Sequence, residues 1–495
     1  MRSSERREAG RSRRRAAPGP RAGLLAIYLF LADCLPAAET SGAEPVPSLF
    51  WTLPFVLLLL SIAVFPLIPA LHRWWDRNSS KLAVAVGLGL VTCLYYALRG
   101  YGFHHSEPGA RAVLSVLDHA VRIDYVPFIV LLFSLYTISG GIHVRGDIPA
   151  HPLTNVLLLG IGTLIASFVG TTGASMLLIR PLLQINTERR HVKHTVVFFI
   201  FLVSNIGGSL LPVGDPPLFL GYLRGVPFLW TLHLAPEWLF CSAVVLTVYW
   251  VIDHSLYLRE PRRAVAEDER RREPIRVEGA FNLALLVGVV LAVGLLVPGR
   301  PLPGTSWVVP AIYLREGVQL GLAAVSLRVT SGSIRRANAF TFHPISEVAC
   351  LFIGIFVTMQ APIEILRARG ADLGVVDPLR YFWATGLLSS FLDNAPTYVV
   401  FFELAGSVTP AELEVGILRG LHTGTGVISV PLLKAISCGA VFMGAMTYIG
   451  NGPNFMVKAI AEQAGIRMPT FFGYLGYSLM MLGPVFVLVS LIFFV

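Results

Sequence analysis

The chain has 495 residues, 54% of them hydrophobic and 14% charged, with a mean hydropathy of +0.67. A soluble globular protein does not combine these values, because apolar runs long enough to span a bilayer recur along the whole sequence. The net charge of +9 does not point to nucleic acid: most of the excess sits in one tail, and no basic run is interleaved with aromatics.

Residues 1–22 hold eight arginines against two glutamates, and a basic tail beside a membrane segment acts as an orientation signal. The following GLLAIYLFLADCLPAAETSGAEP reads as a secretory signal cleaved near Ala38 or Ala43, or else as an uncleaved anchor; Asp33 shortens its apolar run and favours the first. Apolar segments of spanning length come next, near 51–71, 81–98, 125–142, 194–212, 237–256, 280–297, 307–328, 344–361, 421–449 and 471–494. Two further apolar stretches, 152–185 and 381–405, are each broken in the middle, at VGTTGAS (169–175) and at LDNAPT (392–397). Cys34, Cys93, Cys241, Cys350 and Cys438 lie singly in apolar segments, with neither disulfide nor metal spacing. His104–His105 reads as plain surface of an outer loop.

The basic connections HRWWDR (72–77), HVRGD (143–147), NTERRHVKH (186–194), REPRRAVAEDERRREPIR (259–276) and SGSIRRA (331–337) are assigned to the cytoplasm. Stretch 152–185 then leaves and returns to the same side, a re-entrant helical hairpin with its tip at Thr171–Thr172–Gly173–Ala174. Stretch 381–405 does the same from the opposite face, with its tip at Asp393–Asn394–Ala395–Pro396. Arg367, Arg369 and Arg380 on that outer connection run against the charge rule. The linker 257–278 reads as a solvated connection between two halves.

Each hairpin is followed by a helix broken at its far end, at SNIGGSLLPVGDPPLF (204–219) and AVFMGAMTYIGNGPNF (440–455). Setting Gly208 against Gly444 brings Gly214 onto Gly450, Asp215 onto Asn451, Pro217 onto Pro453 and Phe219 onto Phe455. The hairpin tips match as well: Thr172, Gly173, Ala174 and Ser175 face Asn394, Ala395, Pro396 and Thr397. Two copies of hairpin plus broken helix, entering from opposite sides, form an inverted repeat. That is the pattern of an all-α polytopic secondary transporter with its site near the bilayer midplane.

A break inside the membrane frees N–H groups at one half-helix and carbonyls at the other, each carrying part of the macrodipole. Carbonyls, hydroxyls and carboxylates suit sodium or a proton, whereas N–H ends suit an anion. An acid at membrane depth is expensive and is a functional candidate, so Asp215 and Asp393 are the expected sodium ligands. The competing reading has each acid capping a half-helix. Thr171, Thr172, Ser175, Asn205, Asn394, Thr397, Thr447, Asn451 and Asn454 join them as ion- or substrate-binding candidates, because they sit in four matched breaks. Glu347, Glu403 and Lys434 read as interface pairs. Arg180 either snorkels to the cytoplasmic face or stands as counter-charge to an acid. An intramembrane hydrolase would need Ser175 beside a base or two acids around a water, and no histidine falls in either repeat core.

Through GTTGASMLLIRPLL, SNIGGSLLPVGDPP, SSFLDNAPTY and GAMTYIGNGPNF the chain resembles the ion transporter superfamily, over nearly all of 51–495. That superfamily includes bacterial D-type sodium/proton antiporters, arsenite permeases, citrate transporters and dicarboxylate/sodium symporters. The resemblance implies a homodimer in the bacterial inner membrane, with a transport domain of hairpin tips and broken helices that moves like an elevator against a scaffold. The organisation it implies is a tail and signal-like segment at 1–43, scaffold helices at 44–122, a first repeat at 123–256, the linker at 257–278, further scaffold helices at 279–342 and a second repeat at 343–495. One cation site would lie between 172–175 and 205–215, the other between 393–397 and 447–454. The symporter branch carries Ser-Asn-Thr in each tip; here the tips read Thr-Gly-Ala-Ser and Asp-Asn-Ala-Pro-Thr, a departure that disfavours dicarboxylate symport.

The expected function is sodium/proton antiport, with Na⁺ and H⁺ competing for desolvated carboxylates and no other cofactor, in contact with membrane lipid. The alternative is ion-coupled transport of an oxyanion such as citrate, a dicarboxylate or arsenite.

Overall fold

The computed structural model describes residues 46–103, 106–270, 272–310, 313–408, 420–424 and 426–495. The signal-like segment, Cys34 and the His104–His105 pair lie outside the described residues. The chain is an all-helical, multi-pass membrane protein. Among the described residues, seven helices are long and apolar enough to cross a bilayer: Leu49–Leu67, Asn78–Leu98, Ala110–Ser139, Pro152–Val169, Phe228–Tyr257, His343–Leu373 and Phe471–Phe493. Two small two-stranded sheets accompany them.

The interrupted stretches fold as helix pairs. In hairpin 1, Pro152–Val169 and Thr171–Ile185 are separated by Gly170 alone, whose φ of 81° lies in the left-handed region that glycine enters without a Cβ clash. At the far end Asn155 and Asn186 exchange amide hydrogen bonds, each 2.9 Å. Entry and exit therefore lie side by side, and the hairpin leads out from and back to one place. In hairpin 2, Pro378–Phe391 and Asn394–Val408 meet at Leu392–Asp393. The Tyr381 and Phe401 rings, 6.1 Å apart, mark its arms as antiparallel.

The broken helices are conformational copies. The first runs Lys193–Leu202, turns through Ile206–Ser209 and resumes at Pro216–Leu223; the second runs Val430–Met443, turns through Gly444–Met446 and resumes at Gly452–Gln463. Asp215 (φ −143°, ψ 141°) and Asn451 (φ −152°, ψ 141°) stand at equivalent points. In both copies a glycine lets backbone lie on backbone. A Cβ on Gly214 would strike the Gly208 carbonyl, and one on Gly450 the Gly444 carbonyl.

Three expectations change in detail. The segment near 307–328 becomes helical only from Leu314, because Pro301, Pro303 and Pro310 interrupt what precedes it. The segment near 421–449 opens with strands Gly420–Thr423 and Gly426–Ser429 before its helix begins at Val430. The linker is more than a solvated tether. Glu273–Glu278 pairs antiparallel with His143–Asp147, and the buried Asp268 Oδ2 accepts the Ala150 N–H at 2.9 Å, fastening the linker to the start of hairpin 1.

Several charged residues within the helices are paired, which offsets the cost of placing them there. Lys81 meets Glu347 at 2.6 Å and Arg99 meets Glu364 at 2.7 Å, so Asn78–Leu98 is pinned to His343–Thr358 and to Gln360–Arg369. Lys434 pairs with Glu237 at 2.9 Å. Arg367 binds Glu403 at 2.9 Å, which neutralises one of the three arginines that ran against the charge rule. Arg180 is half-buried and has no acid beside it among the described residues.

The glycine contacts give a direct check. Gly214→Ala and Gly450→Ala should each cost about 1–3 kcal/mol by overpacking, seen as lowered thermal unfolding temperatures in detergent. Gly87→Ala, with open space around it, should be neutral or stabilise the helix by up to about 1 kcal/mol.

Candidate functional site

Asp215 precedes Pro216 and Pro217, which have no N–H to offer, and the Leu218 N–H bonds its backbone carbonyl at 3.1 Å, so its side chain makes no cap on its own helix. The carboxylate turns instead to three other elements. Thr171 Oγ1, at the tip of hairpin 1, donates to Oδ1 at 2.8 Å; Asn394 Nδ2, at the tip of hairpin 2, donates to Oδ2 at 2.6 Å; and Asn451 Nδ2, at the second break, reaches Oδ1 at 3.3 Å. Both hairpin tips and both breaks thus meet at one carboxylate, which is 1% exposed. Its donors are a hydroxyl and two amides. Among the described residues, no lysine or arginine bonds it.

A ladder of amides continues from it. Asn451 Nδ2 also approaches Asn205 Oδ1 at 3.2 Å and the Ser204 carbonyl at 3.0 Å. Asn205 Nδ2 donates to Asn454 Oδ1 at 2.7 Å, and Asn454 Nδ2 closes the ladder on the carbonyls of Gly444 (2.8 Å) and Thr447 (2.9 Å). The carbonyls that the second break frees are therefore held by side chains rather than by water, which the interior does not supply.

Asp393 behaves differently. Its Oδ1 accepts the Ala395 N–H at 3.0 Å, a cap on its own helix, while its backbone carbonyl takes the Thr397 hydroxyl at 3.0 Å. It is half-buried and bonds to neither break. Ser175 pairs with Ser204 (2.8 Å), and Thr447 Oγ1 donates to the Ser390 carbonyl. Thr172, half-buried, takes no part in the network. The two separate sites expected from sequence are thus drawn together around Asp215.

The serines that seat the hairpins on the breaks escaped sequence reasoning. Ser167 Oγ donates to the Gly207 carbonyl, and Ser389 Oγ to the Ala440 carbonyl at 2.7 Å. The signal was present, since Ser167 and Ser389 fall in register under the same alignment that matches the tips. One atom in the centre remains unsatisfied: Asn394 Oδ1, fully buried, accepts no hydrogen bond.

The donor set suits a small hard ion. Among the described residues, no group of three or more His, Cys, Asp or Glu gathers as a multivalent metal site would need. One carboxylate with neutral amide and hydroxyl groups can hold a proton or a monovalent cation.

The chain is similar in sequence to known membrane proteins. An uncharacterized transporter of Mycobacterium bovis is 25% identical over 327 residues, 63% of this chain and 70% of the relative, and one of Mycobacterium tuberculosis matches to the same extent. A 46 kDa membrane protein of Mycobacterium leprae is 24% identical over 415 residues, 79% of this chain and 88% of the relative. A family model described as "Putative citrate transport" matches residues 44–494, nearly the whole chain. With that coverage, and with hairpins and breaks converging on one buried carboxylate, the chain belongs to this family and is a membrane transporter, not an enzyme.

Proposed function

We propose that the chain is a secondary active transporter of the bacterial inner membrane that exchanges sodium for protons, with Asp215 as the exchanging group. One observation carries this reading: a fully buried carboxylate with neutral hydrogen-bond donors and no basic partner. An uncompensated buried anion is costly, and binding either a proton or a sodium ion relieves that cost. The two ions cannot share the same oxygens, so the arrival of one expels the other, and exchange follows. Asn394 Oδ1, already unpartnered, could turn toward a bound cation as a second oxygen ligand. Asp393 is the weaker sodium ligand, because one of its oxygens serves its own helix. The elevator motion and the homodimer remain part of the proposal on the strength of the resemblance.

A second reading is ion-coupled citrate uptake, favoured by the family's description and by the N-terminal end of Asn394–Val408 at the site. The absence of a basic side chain on Asp215 weighs against a tricarboxylate docking at that point, so the exchanger stands first.

Sodium and pH jumps on proteoliposomes test the proposal. Asp215→Asn should reduce sodium-driven proton flux at least ~100-fold, equivalent to ~2.7 kcal/mol. Saturable uptake of labelled citrate, beside a proton flux indifferent to sodium, would put the second reading in its place.

Asp393→Asn should keep flux within about threefold of wild type, because asparagine caps a helix as well as aspartate does. A loss as deep as that of Asp215→Asn would restore Asp393 to the ion site.

A further inference from the structure

Two short helices run outward from the Asp215 centre in parallel. Pro216–Leu223 starts at Asp215 and ends at Arg224; Asn394–Val408 starts at Asn394 and passes Glu403. Nine residues separate the members of each pair, a rise of about 14 Å along a helix. The helices are joined at both ends: by the Asn394–Asp215 hydrogen bond of 2.6 Å at the site, and by Arg224 Nε to Glu403 Oε1 at 3.3 Å at the far end. Between these rungs the buried Tyr398 lies against Gly221, where a Cβ would collide with its hydroxyl.

The far rung is tied outward on both sides. Arg224 Nη2 reaches Asp124 Oδ2 at 3.3 Å, in the π-helical stretch Asp118–Tyr125, and Arg367 Nε reaches Glu403 Oε2 at 2.9 Å from Gln360–Arg369. His119 Nδ1 lies 3.8 Å from Asp124. Asp124 and Arg367 belong to helices outside the hairpins and breaks, and Glu364, one turn before Arg367, is itself held by Arg99. Asp124, Arg224 and Glu403 are all buried. A π-helical turn beside buried charges is a recurrent functional device.

We infer that Asp124, Arg224, Glu403 and Arg367 form a latch between the site-bearing elements and the flanking helices, coupled to Asp215 through the paired rods Pro216–Leu223 and Asn394–Val408. An ion that binds at Asp215 Oδ2 competes with the Asn394 amide, which donates to that oxygen, and so displaces Asn394. Both rods start at that contact and end at the latch, so the shift arrives where the flanking helices are gripped. If the site-bearing elements move against those helices in each cycle, both outward ties break and reform each time, and they set its speed. The inference rests on Asp215 being the ion-binding group. Arg224, Glu403, Asp124 and Arg367 are positioning residues that do not touch the ion.

Asp124→Asn and Arg367→Gln each cut one outward tie while leaving Arg224 and Glu403 paired, so neither strands a buried acid. In proteoliposomes, each should raise the maximal rate of sodium-driven proton flux at least threefold and change half-saturating sodium less than twofold. Structural damage would lower the rate instead. Maximal rates at or below wild type in both variants, with both eluting as folded protein, would overturn the latch. If the wild type moves labelled citrate instead, the same ratios are read on that flux, so the exchanger reading can fail alone. The rods have their own readout, independent of the transported solute. Amide hydrogen exchange across Asp118–Tyr125 should differ at least threefold between wild type and Asp215→Asn, and equal exchange would sink the coupling.

Discussion

The Asp215 carboxylate is buried in the centre of a membrane protein and held by neutral groups from three separate elements. Water is not available there to stabilise the charge, so every element that reaches it is committed to a position. Thr171 brings hairpin 1, Asn394 brings hairpin 2, and Asn451 brings the second break. The rest of the interior can be read as what is needed to deliver those three donors. Serines seat each hairpin on its neighbouring break, and glycines allow the arms of each break to touch backbone to backbone.

The repeat is symmetric in backbone and asymmetric in chemistry. Asp215 and Asn451 occupy the same place with nearly the same torsion angles, but one is an acid and the other an amide. That difference allows the second to donate to the first. Had both been aspartates, two like charges would face each other in a dry interior; had both been asparagines, the contact would hold no carboxylate. The asymmetry turns two structural copies into one chemical centre.

Charge elsewhere follows the same economy. Several lysines and arginines meet acids where separate elements must be held together: Lys81–Glu347 and Arg99–Glu364 among the flanking helices, Arg189–Asp253 (2.7 Å) at the base of hairpin 1, and Arg224–Glu403 where the outward-running helices end. Asp215 stands apart: among the described residues this acid is almost fully buried and has no basic partner. An exception of that kind marks chemistry, because a group kept only for stability would be neutralised or replaced.

Much of this was legible along the chain, since it depends on local chemistry. Apolar runs of spanning length, the breaks at VGTTGAS and LDNAPT, and glycines and prolines matched between 208–219 and 444–455 each reflect what a short segment can do in a hydrocarbon solvent. The acids were legible as candidates for the same reason. Local sequence put Asp393 ahead of Asp215, because Pro216 and Pro217 mark a helix start that Asp215 would cap. The tertiary structure gives the two acids different partners. Pro216 and Pro217 offer no N–H and the Leu218 N–H bonds the Asp215 backbone carbonyl, so the Asp215 carboxylate bonds to distant donors, whereas Ala395 supplies a local one to Asp393. Spacing could not reveal that the two hairpin tips, more than two hundred residues apart, converge on one oxygen pair. A local rule says which groups need partners; only the packing of the chain says which partners they find.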